Sequence, residues 1–157
     1  MDWALQKLTE LGVHQIVPLF TERAEVKLSG DRLGKRLQHW SRILVSAAEQ
    51  SGRVRVPELA APESLSDYLA HWAATAPPAA EHCGLVLDPT ANARLQSLPP
   101  PAQVSLLVGP EGGLAGDEVH RAVAAGFTPM GLGPRVLRTE TAPVAALAAV
   151  QTLWGDA

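Results

Sequence analysis

The chain has 157 residues, 46% apolar and 18% charged, with 13 Lys and Arg against 16 Asp and Glu for a formal charge of −3. Such a chain suits one globular domain with a core of useful size, and its slight acidity excludes a broadly basic nucleic-acid coat while leaving room for a local basic patch. The single cysteine, Cys83, excludes an intrachain disulfide and a Cys-rich metal site and fits a reducing cytoplasm; no apolar run is long enough for a bilayer span, and no signal-peptide pattern opens the chain.

Residues 1–11 read as a helix with Trp3, Ala4, Leu8 and Leu11 near one face, stopped at Gly12. Residues 15–20 (QIVPLF) read as a short strand, weakened by Pro18. Residues 22–30 form a charged connection. Residues 31–50 make the longest helix: Leu33, Leu37, Trp40, Leu44, Ala47 and Ala48 gather on one side, and Arg32, Lys35, Arg36, His39 and Arg42 on a neighbouring side. Residues 53–59 are extended around Pro57, residues 65–74 form a weaker helix, and residues 73–80 a proline-rich loop.

Residues 84–87 (GLVL) and 104–108 (VSLLV) suit buried strands of a parallel sheet. Residues 117–125 read as an amphipathic helix closed by Gly126, and residues 127–132 as another strand. Residues 133–141 are a loop, and residues 142–154 a final helix with Pro143 in its first turn. Alternating strands and helices, with no internal repeat, define an α/β layered domain.

Three segments at strand ends could carry chemistry. Gly109, Pro110, Glu111, Gly112 and Gly113 follow VSLLV directly, and glycines at the carboxyl end of a buried strand let a ligand approach the backbone. For the same residues the alternative, less favoured, is a plain strand-to-helix turn. They form neither a P-loop nor a dinucleotide fingerprint; Gly131-Leu132-Gly133 begins the latter, but Val136 stands where its third glycine belongs. Residues 132–142 (LGPRVLRTETA) bring Arg135, Arg138 and Glu140 between a strand and a helix. Arg138 can serve as an anion fork and Glu140 as an acceptor or base, while Thr139 or Thr141 can cap the helix. Read without function, this is a capping loop with a surface ion pair. Asp88-Pro89 follows GLVL, and in a parallel sheet all three segments converge on one edge, where α/β ligand sites form.

The basic side of the long helix, continued by Arg53 and Arg55, is either a solvated face or a set of phosphate contacts, with Arg23 as a further contributor or a surface partner of Glu22 or Glu25. The five histidines show no metal-ligand spacing, Cys83 reads as a buried hydrophobe, and no Ser-His-Asp elbow occurs.

WALQKLTELGV, IVPLFTERAEVKL, AAEQSGR, LLVGPEGGL and LGPRVLRTETA, in this order, resemble the bacterial 16S ribosomal RNA uracil-N3 methyltransferases of the SPOUT class. The resemblance covers nearly the whole chain, and the pairing of GPEGG with LGPRVLRTETA is its most specific element. It implies an α/β fold, a parallel sheet flanked by helices with a C-terminal trefoil knot, and a homodimer with S-adenosylmethionine as cofactor and small-subunit RNA as substrate. It implies that Leu87, Asp88, Gly109, Pro110, Glu111, Gly112, Gly113, Leu132, Gly133, Val136 and Leu137 surround the cofactor. By the same likeness Arg138 and Glu140 lie beside the target base; Arg23 is a third catalytic candidate, one that could come from the other subunit. Arg32, Lys35, Arg36, Arg42 and Arg53 would hold RNA phosphates, and no metal is implied. Full-length members of that family carry an N-terminal β-barrel RNA-binding domain, absent from this sequence, so residues 1–157 correspond to the methyltransferase domain. The family's Ser or Thr helix cap falls on Ala115, a loss of roughly 1 kcal/mol. Rival readings are a non-catalytic module that binds the cofactor or RNA, and a tRNA methyltransferase of the same knotted class.

Overall fold

The computed structural model describes residues 1–24, 30–75, 78 and 81–156. Helix α1 (Asp2–Glu10) packs against the long helix α2 (Gly30–Gln50). In α2 the buried residues are Trp40, Leu44, Ala47 and Ala48, the i, i+4, i+7, i+8 stripe that the sequence predicts. In α1 the inward face is Ala4, Leu5 and Thr9, while Trp3 is 49% exposed. At ~100° per residue Trp3 falls opposite Leu5 and Thr9, so the expected Trp3 face gives way to one centred on Leu5. Buried Thr9 satisfies its hydroxyl by donating to the Leu5 carbonyl at 2.8 Å.

The predicted strand at 15–20 is split in two. Strand β1 (Gln15–Ile16) pairs in parallel with β3 (Glu58–Leu59), and β2 (Leu19–Phe20) with β4 (Glu63–Ser64). The break falls at Pro18, which has no N–H to give but accepts from Glu63 N–H at 3.2 Å. Of the charged connection predicted at 22–30, residues 25–29, including Glu25, lie outside the described residues, as do 76, 77, 79 and 80 of the proline-rich loop.

The main sheet has three parallel strands in the order β6-β5-β7. Strand β5 (His82–Leu87) lies between β6 (Gln103–Leu107) and β7 (Thr128–Met130). Being central, β5 is the most apolar, and Leu85 and Val86 are fully buried. Their alternation serves both faces. Val86 joins Leu107, Phe127 and Trp72, beside α3 (Leu65–Thr75) and α4 (Gly116–Ala124); Leu85 joins Met130 and Val150 of α5 (Thr141–Trp154). Pro129 is tolerated because β7 is an edge strand. A 3-10 turn at Leu95–Ser97, which the sequence analysis does not foresee, buries Leu95 in the α5 side of the core. Cys83, expected buried, is half-buried there, and burial raises its thiol pKa. The expected α/β architecture, a parallel sheet flanked by helices, is present. No helix among the described residues is long and apolar enough to cross a membrane.

Candidate functional site

Parallel strands aim their carboxyl ends the same way, so the loops after β5, β6 and β7 meet at one edge of the sheet. They enclose a cleft of about 540 Å³, within the range of small-molecule sites. Of the residues implied as cofactor-binding, Leu87, Asp88, Gly109, Pro110, Glu111, Gly113, Leu132, Val136 and Leu137 line it, as do Arg138 and Glu140. Val108, Leu114, Met130 and Arg135 also line it. Gly112 and Gly133 do not.

Each loop is shaped locally. After β6 the Gly113 N–H donates to the Pro110 carbonyl at 2.8 Å, closing a turn that places Gly113 at φ +67°, a region costly for other residues. After β5 the Asp88 carboxylate accepts from the Thr90 N–H at 2.8 Å and the Thr90 hydroxyl at 2.7 Å, and the Asp88 N–H donates to the Met130 carbonyl at 3.0 Å. Gly131, an aborted motif in the sequence, has a steric reason of its own: a Cβ there would run into the Ala91 carbonyl oxygen. After β7 the Arg138 carbonyl accepts the N–H groups of Thr141 and Ala142, both at 2.9 Å, at the start of α5. The expected side-chain cap from Thr139 or Thr141 is not formed; the N-cap position is Glu140, and this backbone bond does the work.

Arg138 is 84% exposed, and its Nη1 lies 3.9 Å from Glu140 Oε1, a loose ion pair. Val136, at 80% exposure, stands at the rim rather than deep in the cleft. Asp88 and Glu111 share the cleft with Glu140, although Asp88 is engaged by Thr90.

The remaining predicted residues sit elsewhere. Arg23 Nη1 donates to the Gly112 carbonyl at 3.0 Å, with a longer 3.5 Å contact to the Leu114 carbonyl. It thus braces the glycine turn of its own chain from outside the cleft. Arg32, Lys35, Arg36 and Arg42 are exposed on α2, whose main packing partner is α1, so the fold does not bring them to the cleft. Arg53 has different work. Its Nη1 donates to the Thr9 carbonyl at 2.9 Å and the Val13 carbonyl at 2.7 Å, so the guanidinium caps the end of α1 instead of standing free for phosphate.

Sequence reasoning missed Glu118. Only 2% exposed, it accepts from the Ala115 N–H at 2.9 Å through Oε2 and from the Glu22 N–H at 2.8 Å through Oε1. Its place at the third position of α4, after a helix start lacking a Ser or Thr, was the available signal: the Ala115 methyl cannot accept, so the acidic half of a capping box acts alone.

An α/β domain with a glycine-bordered cleft at its strand carboxyl ends is therefore the class defined by the fold. The chain belongs to the RNA methyltransferase domain family, whose model matches residues 1–151. It is 37% identical over 157 residues to ribosomal RNA small subunit methyltransferase E of Buchnera aphidicola subsp. Schizaphis graminum, covering 99% of this chain and 61% of that protein. To the protein of the same name in Bacillus subtilis it is 35% identical over 168 residues, covering 99% and 64%. Among solved structures it superposes on a Legionella pneumophila methyltransferase in complex with bound cofactor SAM, with TM-score 0.90, 40% identity and 100% and 62% coverage. It also superposes on a Neisseria gonorrhoeae ribosomal RNA small subunit methyltransferase E bound to S-adenosyl methionine, with TM-score 0.88, 42% identity and 99% and 62% coverage. The chain spans about three-fifths of the length of these relatives.

Proposed function

We propose that the cleft binds S-adenosylmethionine and that the domain methylates N3 of a uridine in small-subunit (16S) ribosomal RNA. The observation carrying this reading is the joint lining of one cleft by the glycine turn 109–113 and the loop 132–140, segments distant in sequence and each too weak alone. Their likeness to relatives solved with this ligand bound supports it. The residues suit such a ligand: Leu87, Val108, Leu132 and Leu137 offer apolar walls for a nucleoside, and bare backbone at Gly113, where a Cβ would meet nothing within 4 Å, allows close approach.

When bound, the cofactor supplies an electrophilic methyl group on a sulfonium. The protein's task is to align the uracil N3 with that carbon and to favour the anionic base, since N3 carries a proton in the free nucleoside. Arg138, free to swing from its loose pair with Glu140, balances the negative charge on the uracil carbonyl oxygens as the proton leaves. The Glu140 carboxylate, half-buried beside it, accepts that proton. Arg23 braces the glycine turn. Arg32, Lys35, Arg36 and Arg42 contribute RNA phosphate contacts from α2, and Arg53 is set aside for its capping work. A ribosomal RNA substrate supports a cytoplasmic location.

Two structural expectations belong to the same reading. After edge strand β7, the chain passes the end of β5, where the Gly131 N–H reaches the Ala93 carbonyl at 3.4 Å, and α5 then packs on β6 and the 3-10 turn. That crossing supports threading of residues 131–154 through the 88–102 connection, the trefoil knot of the SPOUT class; an experimental trace of both segments decides it. Helix α5 is apolar nearly all round, yet only Ala146 and Val150 are buried and Leu153 is 42% exposed. Its uncovered face supports a homodimer; a monomer mass by light scattering at micromolar concentration overturns this.

The functional test is transfer of labelled methyl to small ribosomal subunits, followed by mapping of the modified base. Label at uridine N3 is expected, and Arg138→Ala should lower turnover at saturating RNA about 100-fold. Cofactor binding without transfer would identify a non-catalytic module, and label confined to tRNA a different substrate.

A further inference from the structure

We propose that Glu118 is a positioning residue that fixes the glycine turn of the cofactor cleft by tying it to the segment carrying Arg23. The inference rests on the reading of the cleft given above and extends it to a residue outside the cleft lining.

Three facts carry it. Glu118 is 2% exposed, and both carboxylate oxygens are used, one by the Ala115 N–H and one by the Glu22 N–H. These donors are 93 residues apart (115 − 22) and belong to the two segments that must meet if Arg23 is to reach the glycine turn. The Leu114–Ala115 peptide is held from both ends, its N–H by Glu118 and its carbonyl by the 3.5 Å Arg23 contact, while the neighbouring Gly112 carbonyl takes the shorter 3.0 Å bond. The Thr21 hydroxyl gives the Arg23 segment no similar hold: it is buried with no hydrogen-bond partner among the described residues.

A buried carboxylate is expensive unless it is well bonded. This one lies in the first turn of α4, where the helix dipole favours negative charge, and it accepts two charge-assisted bonds. Simple capping of α4 requires only the Ala115 bond. The bond to Glu22 does nothing for the helix. It fixes the backbone immediately before Arg23, so that the guanidinium meets the Gly112 carbonyl without a search over rotamers and loop positions. The turn that borders the cleft at Gly109 and Gly113 is thereby held from its outer side.

The test uses the chain as it stands, with Glu118→Gln, Arg23→Ala and the double variant. Glutamine keeps the volume but sets an N–H₂ against one of the two backbone donors, so the tie breaks with little change in packing. Melting temperature and far-UV circular dichroism verify folding. S-adenosylmethionine affinity is measured by calorimetry, and amide hydrogen exchange is followed at Glu22 and from Gly112 to Ala115. Each single variant should weaken binding about tenfold and speed exchange at those amides, and the double should be no weaker than the worse single, because both act on one element. Parent-like affinity in Glu118→Gln, or single effects that multiply in the double, would overturn the proposal. If the parent chain binds no S-adenosylmethionine, the reading of the cleft falls. The tie is then judged by exchange alone: unchanged protection from Gly112 to Ala115 in Glu118→Gln refutes it, and loss of protection there sustains it.

Discussion

A Cβ placed on Gly109 would lie 2.7 Å from the Leu114 backbone nitrogen and 2.9 Å from the Gly113 carbonyl carbon. Backbone, unlike the end of a flexible side chain, cannot step aside, so no side chain fits while the turn keeps its shape. Gly112, in the same pentapeptide, is different: its Cβ would face Arg23 Cβ at 3.4 Å, an ordinary contact outside the cleft.

Gly109→Ala is therefore expected to cost about 1–3 kcal/mol of stability by forcing the turn open. It should also abolish measurable S-adenosylmethionine binding. Gly112→Ala should retain binding within about threefold, since its methyl points towards a side chain that can shift by tenths of an ångström. Urea denaturation and calorimetry on both variants check this. Equal behaviour of the two glycines would show that the turn is not held as described.

These glycines mark how far the sequence could be read. Its periodicities locate α2 and β5 to within two residues, because both are long or strongly apolar and tertiary packing agrees with local pattern. Strand ends converging on one edge follow from a parallel sheet, and so did the cleft. What could not be read depends on partners far along the chain. Trp3 stays half exposed while Leu5 packs with Trp40 and Leu44 of α2, a fact of the interface and not of the helix. Arg53 resembles its neighbours in a basic run, and only the fold shows that it ends against carbonyls 44 and 40 residues earlier. Glu118 looks like any acidic residue in a first helical turn until Glu22 arrives beside it.

The work assigned to Arg53 separates it from the exposed basic residues. Arg53→Met keeps an apolar stem of similar reach but leaves the Thr9 and Val13 carbonyls without their charged donor. A loss of about 1.5–3 kcal/mol is expected. Arg32→Met, on the exposed side of α2, should stay within about 0.5 kcal/mol. Denaturant midpoints at equal slope check the pair. If instead Arg53→Met is neutral in stability and weakens RNA retention in a salt-dependent way, the residue belongs with the phosphate contacts.

The third expectation concerns pH and His82. Its Nε2 lies 2.9 Å from the Ser105 hydroxyl across the β5–β6 pair, and its ring stands edge-on to Trp72 with centroids 4.6 Å apart. Burial disfavours the imidazolium and holds the His82 pKa below the ordinary value of 6.5. The unfolded chain, titrating near 6.5, thus binds more protons than the folded chain from that value down to the folded pKa. Stability must then rise with pH across this window and fall as the solution is acidified through it. Asp2 titrates in a different range. The hydrogen bond from His39 is the main cause of its lowered pKa, and its contribution is lost only below the usual carboxylate value of 3.8. Comparing the parent with His82→Gln at pH 7.5 and 5.5 isolates the effect, because the other histidines are common to both chains. The variant should be less stable than the parent at pH 7.5, where the packing against Trp72 is lost, and the gap should narrow at pH 5.5. A gap that stays constant or widens on acidification would mean that His82 takes up its proton in the folded protein at least as readily as in the unfolded one.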